Sequence, residues 1–556
     1  VLPPLSKISR IFTSHKVLRM KYPIGIQTFC DIIQDGYVYV DKTALVHKLV
    51  TTGKIYFLSR PRRFGKSLLV STLKSYFEGR KDLFRGLAME RLETEWTEYP
   101  VLHLSFGSGN FMQGDELKNV LETFVADAEN MYGKSDTAIT LSVRFKKVIE
   151  AACKKTGRKV VVLIDEYDKP LLDVLDTDIT VDSNGNRIPL EDYNRQLLKG
   201  IYSVFKDADE YLRFVLLTGV TKFSQVSVFS GFNQPDDISM DPEYEALCGI
   251  TEEELLAYFS EPIKELAEKN GVSVEEMTGR LKRRYDGYHF SMGMTDIYNP
   301  FSLLNCFKKK IISDFWFSTG TPTYLMRLLQ HFDENINELV NRNYPPEEFV
   351  DYRADTERPL PMIYQSGYLT IKGYDSIFNT YLLDFPNNEV RGGFLSALAS
   401  GYFKEKSGMS WVRNVSMALL QGDTMAFMRH ITALLAGISY RFQRKDDAME
   451  CERYFQYTFY LILQMIGVYN TYVEKETSEG RIDCIVECPE HVYIFEFKLN
   501  GSAEKALEQI NDRDYAAPYA ADRRTVHKVG VNFSSEKGTV DEWKEESLPV
   551  GGIAHK

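Results

Sequence analysis

The residues RPRRFGKS (60–67) decide the fold of this chain. They lie between KIYFLS (54–59), an apolar run of strand length, and KSLLVSTLKSYF (66–77), whose apolar residues recur at helical spacing. A strand that becomes a helix at GKS (65–67) is typical of a phosphate-binding loop, because backbone N–H groups and the start of a helix attract phosphate. The first position of such a loop is normally Gly but is Arg60 here, so only the closing half of the motif matches.

The loop predicts that the protein binds ATP. Lys66 would reach the β- and γ-phosphate oxygens, and the Ser67 hydroxyl would ligate Mg²⁺. Arg62 and Arg63 either neutralise phosphate charge, contact a neighbouring subunit or are solvated surface arginines. The nucleotide-binding residues predicted in this stretch are Arg62, Arg63, Phe64, Gly65, Lys66, Ser67 and Leu68.

A second segment, KVVVLIDEYDKP (159–170), supplies the acidic partners of the loop. Its continuous apolar run is typical of a buried parallel strand, and the run ends in Asp165 and Glu166. An acid at that strand end suits Mg²⁺, and the adjacent Glu suits the polarisation of a water for attack on the γ-phosphate. The next strand, LRFVLLT (212–218), ends in Thr218, where a polar sensor of the γ-phosphate would lie. The alternative is that these carboxylates cap helices.

Strands and helices alternate through this part of the chain, which predicts an α/β fold with a doubly wound parallel sheet. We assign residues 20–250 to this domain. We expect 251–390 to form a helical lid or connector and 391–440 a helical linker, because the pattern there becomes mostly helical. We expect residues 441–556 to form a separate α/β unit, and the basic, acid-poor residues 1–19 to lie outside the fold, either as a leader or as residues upstream of a start at Met20.

Asp483, Glu496 and Lys498 make a second constellation. Glu496 and Lys498 are two apart in VYIFEFK (492–498), so both leave the same face of a strand, opposite the phenylalanines that alternate with them. Asp483 lies on the preceding strand and can reach that face. Two carboxylates and a lysine can hold one or two Mg²⁺ ions and position a hydroxide for in-line attack on a phosphodiester. A simple salt bridge is the alternative.

Composition limits the class of protein. The 556 residues carry 67 Lys and Arg against 78 Asp and Glu, a net charge of −11, which excludes a protein coated in basic charge but not a local basic cleft. The 7 cysteines are scattered without a CxxC pair, which favours reduced thiols in the cytoplasm. No apolar run approaches the roughly 18 residues of a membrane span, so we expect no membrane association.

Six blocks of the sequence resemble the AAA-ATPase-like family of bacteria, over roughly residues 20–330. They are YPIGIQTF (22–29), YVYVDKT (37–43), RPRRFGKSL (60–68), VVVLIDEYDKPL (160–171), LTGVTKFS (217–224) and YNPFSLL (298–304). The resemblance implies an additional-strand P-loop ATPase with Lys66, Ser67, Asp165 and Glu166 in the usual roles. It also implies that Arg60 is a family variant of the opening Gly.

The stretch GRIDCIVECPEHVYIFEFKLNGSAEKALEQI (480–510) resembles the PD-(D/E)XK nuclease domain that commonly follows this ATPase. By that resemblance Asp483 and Glu496 are metal ligands, Lys498 is the catalytic lysine, and Glu452 and Gln509 are supporting residues. The proline of the superfamily name is absent, because Ile482 precedes Asp483.

Two main hypotheses follow. In the first, ATP binding or turnover regulates a Mg²⁺-dependent nuclease that acts on nucleic acid, with DNA favoured over RNA, in a protein that can form a homo-oligomer. In the second, the ATPase is a switch, and its nuclease-like domain only binds nucleic acid or a protein. A third hypothesis, an inert scaffold, carries the least weight.

Overall fold

The computed structural model describes residues 20–175, 177–183, 186–222, 235–317, 339–350, 359–394, 408–436, 459, 463, 470–477 and 480–548. The expected leader, residues 1–19, lies outside this description. The chain divides into two units. The first comprises the residues up to 282 together with 290–312, and the second comprises 283–289 together with the residues from 313 onwards.

The first unit is built from strands that alternate with helices. Its strands are β1 (Ile55–Ser59), β2 (Val101–Ser105), β3 (Val160–Asp165), β4 (Thr180–Ser183), β5 (Asn186–Pro189), β6 (Leu212–Gly219), β7 (Asp236–Asp237), β8 (Ile250–Thr251) and β9 (Ile297–Tyr298). Its helices are Phe29–Gln34, Thr43–Thr52, Lys66–Phe77, Ala88–Leu92, Glu116–Tyr132, Leu141–Thr156, Lys169–Leu172, Leu190–Asp207, Glu252–Asn270, Pro300–Lys309 and Val274–Tyr285, whose last residues belong to the second unit.

Five of these strands form one sheet in the order β2-β3-β6-β1-β7, and every neighbouring pair is parallel. Strand β6 lies between β1, which precedes the phosphate loop, and β3, which ends in the acids. This is the additional-strand arrangement, and the predicted doubly wound parallel sheet is confirmed. Because parallel strands end at the same edge, the loop after β1 and the acids after β3 lie at one edge of the sheet.

The apolar run of β3 is explained by its place in this sheet. All residues of Val160–Asp165 are buried, because β3 has a strand on each side and the alternating helices cover the sheet. The predicted helix after the loop is observed with the predicted bounds, Lys66–Phe77. Its amphipathic face packs Leu69, Leu73 and Phe77 into the core.

The second unit contains two sheets. Its strands are β10 (Arg342–Tyr344), β11 (Thr370–Asp375), β12 (Thr380–Asp384), β13 (Asn470–Thr477), β14 (Gly480–Glu487), β15 (His491–Leu499), β16 (Thr525–Ser534) and β17 (Thr539–Leu548). Its helices are Pro346–Phe349, Leu360–Gln365, Gly408–Leu420, Thr424–Ala436 and Ala503–Asp512.

The smaller sheet corrects one prediction. Residues 251–390 were expected to be helical, but β10, β12 and β11 pair there as an antiparallel sheet. The turn between β11 and β12 is local: the Asp375 side chain accepts hydrogen bonds from the backbone N–H groups of Ile377, at 2.8 Å, and Phe378, at 3.2 Å. Short strands closed by an aspartate turn leave little hydrophobic periodicity, which is why the prediction missed them.

The larger sheet has the order β13-β14-β15-β16-β17 and is antiparallel except for the β15–β16 pair. Strands β14 and β15 were predicted, whereas β16 and β17 were not. The phenylalanines of β15, Phe495 and Phe497, pack in a cluster that includes residues of the helix Thr424–Ala436. The opposite face of β15 carries Glu496 and Lys498. Within the described part of the chain, no helix is long and apolar enough to cross a membrane.

Candidate functional site

The phosphate loop has the backbone that its sequence requires. Gly65 adopts a left-handed φ of 97°, which glycine tolerates, and the helix begins at Lys66. The Lys66 side chain is buried, and its Nζ donates hydrogen bonds to the backbone oxygens of Arg60, at 2.8 Å, and Pro61, at 3.1 Å. Burial lowers the pKa of Lys66, while the charge of Asp165 acts in the opposite direction. A phosphate oxygen is a stronger acceptor than these neutral carbonyls.

The acids at the end of β3 lie beside the end of β6. Asp165 Oδ1 accepts a hydrogen bond from Thr218 Oγ1 at 2.6 Å and another from the Glu166 backbone N at 3.1 Å. Glu166 adopts a left-handed φ of 55°. A Cβ placed on Gly107, just after β2, would lie 3.5 Å from Glu166 Oε2, so this carboxylate lies beside that loop. The structure thus brings Asp165, Glu166 and Thr218 together at the sheet edge that carries the loop.

The remaining loop residues divide into core and surface. Phe64 is buried with its ring centroid 5.5 Å from that of Phe290, so only its backbone is available to a nucleotide. Arg63 is exposed, and its guanidinium lies 4.7 Å from the centroid of the Phe301 ring. Arg62, Ser67 and Leu68 are half-buried.

Asp168 is a further residue of this site that was not predicted from the sequence. This carboxylate is buried, and its Oδ2 accepts hydrogen bonds from the backbone N–H groups of Val220, at 2.9 Å, and Thr221, at 2.6 Å. Burial raises the pKa of Asp168 to about 6. It ties the segment after β3 to the segment after β6, and its signal in the sequence was a second aspartate three residues after Asp165.

The second constellation lies on one face of β15. Lys498 Nζ donates a hydrogen bond to Gln509 Oε1 at 2.8 Å and lies 3.3 Å from Glu496 Oε1. Asp483 Oδ2 accepts a hydrogen bond from the Phe497 backbone N at 2.8 Å. Gln509 is on the helix Ala503–Asp512, which Ser502 caps by accepting a hydrogen bond from the Lys505 backbone N. Glu452 lies outside the described residues.

Glu496 is the unusual member of this group. Its exposed fraction is 2%, and its Oε2 has no hydrogen-bond partner in the described part of the chain. Burial, and then the nearby Asp483 carboxylate, raise the pKa of Glu496 to about 7. An unpaired buried carboxylate oxygen costs free energy unless a cation satisfies it.

These residues fit a divalent cation of the Mg²⁺ type. Carboxylate oxygens are the ligands such hard cations prefer, and Asp483 and Glu496 supply them from neighbouring strands. The unsatisfied Oε2 of Glu496 has the character of a ligand atom. The phosphate loop likewise fits a nucleotide phosphate, because it presents a left-handed glycine, a helix start and a buried lysine together.

The fold and these two sites define the class of the protein: an ATPase-like P-loop domain of the additional-strand type joined to an α/β domain of the PD-(D/E)XK kind. A family model described as a predicted AAA-ATPase matches residues 23–229, and one described as the PD-(D/E)XK nuclease superfamily matches residues 450–543. The chain therefore belongs to the AAA-ATPase-like family, in a fusion with a C-terminal PD-(D/E)XK nuclease superfamily domain.

One relative aligns with nearly the whole of this chain. It is described as an uncharacterized protein in the vnfD 5' region of Azotobacter chroococcum mcd 1. The two proteins are 37% identical over 540 residues, which is 95% of this chain and 99% of the relative.

Proposed function

We propose that the protein binds and hydrolyses ATP with Mg²⁺, and that its nucleotide state regulates a Mg²⁺-dependent nuclease acting on nucleic acid, with DNA the favoured substrate. The single observation that supports the nuclease best is the unpaired, buried Oε2 of Glu496 beside Asp483. A salt bridge with Lys498 alone does not account for it, because Lys498 lies beside the other oxygen, Oε1.

In this proposal Asp483 and Glu496 hold the cation. A bound divalent cation supplies a water of lowered pKa and charge stabilisation for the phosphodiester. Lys498 contacts the scissile phosphate or the attacking water, and Gln509 orients its ammonium through the 2.8 Å hydrogen bond. Glu452 would be a supporting residue.

In the first unit, Lys66 binds the β- and γ-phosphates, and Ser67 and Asp165 hold Mg²⁺. Glu166 polarises the attacking water, and Thr218 senses the γ-phosphate. The backbone N–H groups from Arg62 to Leu68 would cradle the phosphates. We place the protein in the cytoplasm and expect that it can assemble as a homo-oligomer.

The test is cleavage of labelled single- and double-stranded DNA and RNA with Mg²⁺, with and without ATP. We expect Lys498→Ala to lose cleavage by at least about a hundredfold and Lys505→Ala to keep it. Lys505 is a matched control because it is exposed and lies on the same helix as Gln509. Cleavage that persists in Lys498→Ala would contradict the assignment of this site.

ATP binding is measured separately with Lys66→Ala. This variant should lose ATP binding, because the phosphates lose the positively charged ammonium group of Lys66. ATP binding by Lys66→Ala at wild-type affinity would refute the nucleotide site. If the wild-type protein hydrolyses ATP, binds DNA and never cuts any substrate, the second hypothesis holds: an ATPase switch with an inactive nucleic-acid or protein binding domain.

A further inference from the structure

Arg60 occupies the position at which phosphate loops normally carry glycine, and its side chain is buried. Its exposed fraction is 2%, which is rare for an arginine. Its backbone does not adopt a positive φ, so the chain needs no glycine at this position. A charged side chain that is desolvated at the start of a phosphate loop requires a structural reason.

The guanidinium finds its partners among backbone oxygens. Nη1 donates hydrogen bonds to Ser239 O, at 2.7 Å, and to Ser59 O, at 2.9 Å, and Nη2 donates to Tyr244 O at 3.3 Å. The guanidinium carbon lies 4.1 Å from the centroid of the Phe290 ring, within the range of a cation–π interaction. The contacts with Ser239 and Tyr244 join the loop to residues 179 and 184 positions further along the chain.

The backbone of Arg60 is fixed as well. Its N–H donates a hydrogen bond to Gly219 O at 3.1 Å, next to the predicted γ-phosphate sensor. Its carbonyl accepts the hydrogen bond from Lys66 Nζ. A Lys66 side chain that turned to a phosphate would give up the Arg60 carbonyl. The side-chain contacts of Arg60, together with its backbone hydrogen bond to Gly219 O, would then keep the start of the loop in place.

We infer that Arg60 is a positioning residue of the nucleotide site. Its buried guanidinium, which lies over the Phe290 ring, holds the start of the phosphate loop in the position from which the loop binds phosphates. The inference rests on the proposed binding of ATP. Only arginine fits the position, because its planar fork presents several donors at fixed angles, whereas lysine is a single point donor. Glycine, the residue usual in this motif, would leave the same carbonyls unpaired.

The test is Arg60→Gly, which restores the usual motif. We expect the affinity for ATP with Mg²⁺ to fall by at least about tenfold. The KM for ATP should rise, while kcat at saturating ATP stays within about twofold. Guanidinium chloride at millimolar concentration, far below the molar concentrations that unfold proteins, should restore affinity by filling the vacated site.

The matched control is Arg213→Gly. Arg213 also donates a hydrogen bond to a backbone oxygen, that of Val50 at 3.0 Å, and lies over the Tyr99 ring. It is the second residue of strand β6, away from the loop. We expect unchanged ATP affinity and no response to guanidinium. Wild-type affinity in Arg60→Gly, or a loss that guanidinium does not reverse in a folded protein, would overturn the inference.

Two further measurements separate the possible failures. If Arg60→Gly does not fold, Phe290→Leu removes the ring face while keeping an apolar side chain, and its affinity for ATP should fall by about two- to tenfold. An unchanged affinity there would also overturn the inference. A wild-type protein that does not bind ATP would instead refute the proposed function itself.

Discussion

Glu496 shows how one residue connects stability with activity. Its carboxyl group is buried beside Asp483, and burial raises its pKa to about 7 from an ordinary value of 4.5. Between these two pH values the folded state binds more protons than the unfolded state, so stability falls as pH rises through the window. Above pH 7 the Glu496 carboxylate is therefore charged, although its burial disfavours the charge. A bound cation would offset this cost.

We expect Glu496→Gln to raise the melting temperature of the second unit above pH 7 in the presence of a chelator, because glutamine is neutral and of the same shape. A gain of about 1 kcal/mol corresponds to about 2–4 °C in Tm. The difference should vanish below pH 4.5, where wild-type Glu496 is protonated in both states. Thermal unfolding with a chelator measures it, and a lower Tm for the variant above pH 7 would contradict the account.

The same pKa predicts how metal binding depends on pH. A cation competes with the proton of Glu496, so the affinity for Mg²⁺ should fall steeply once the pH drops below about 7. Calorimetric titration of Mg²⁺ about one unit above and one unit below this pH measures the change. Glu496→Gln is the control and should bind Mg²⁺ weakly at both pH values. Equal affinity of the wild type at both would mean that Glu496 is not a ligand.

At the level of elements, the helix Ala503–Asp512 approaches β16 at Gly530. A Cβ placed on Gly530 would lie 2.3 Å from the backbone O of Ala503 and 2.7 Å from the backbone N of Leu507. No side chain fits there without movement of the helix. Since that helix carries Gln509, its position also decides where the Lys498 ammonium lies.

We expect Gly530→Ala to destabilise the second unit by about 1–3 kcal/mol, since the new methyl group meets backbone on a packed helix. Cleavage should weaken as well, because Gln509 moves away from Lys498. Denaturant unfolding measures the loss. Gly392→Ala is a matched control: none of the described residues lies within 4 Å of the same added atom there, and its stability should not fall. Equal stability of the two variants would contradict this packing argument.

The elements that the sequence predicted are those with a local signal. The buried run of β3, the amphipathic helix after Gly65 and the alternation within β15 each show in a few neighbouring residues. Pairing is a long-range property: the parallel neighbour of β15 is β16, reached through a helix, and the prediction stopped before it. The partners of Arg60 and the unpaired oxygen of Glu496 depend on the folded chain too, so the sequence could mark these residues as candidates but could not show their contacts.

In the molecule as a whole, residues 283–289 and the residue that follows them belong to different units. Residues 283–289 belong to the second unit, where the His289 backbone N donates to Thr370 Oγ1 and Thr370 Oγ1 donates to the His289 backbone O, both at 2.8 Å. The next residue, Phe290, belongs to the first unit and packs against Arg60 and Phe64. The chain thus passes from the second unit to the first at one peptide bond, between His289 and Phe290.

We expect Thr370→Val to reduce the dependence of cleavage on ATP, because it removes both hydrogen bonds to His289 while keeping the shape of the side chain. The KM for ATP should stay unchanged. The measurement is the ratio of cleavage rates with and without ATP. Thr432→Val, which removes a hydrogen bond to Met428 O in the same unit, should keep the wild-type ratio. An unchanged ratio in Thr370→Val would mean that the hydrogen bonds between Thr370 and His289 are not needed for the effect of ATP on cleavage.

The path of the chain also bears on inheritance. The backbone passes from one unit to the other after residues 282, 289 and 312, so neither unit is continuous in the sequence. A single break in the gene cannot separate the two units cleanly: a break after 312 leaves the segment 283–289 with the first unit and the second unit without it. A gene that exchanges one unit for another must also replace this segment, so we expect the two units to be inherited together.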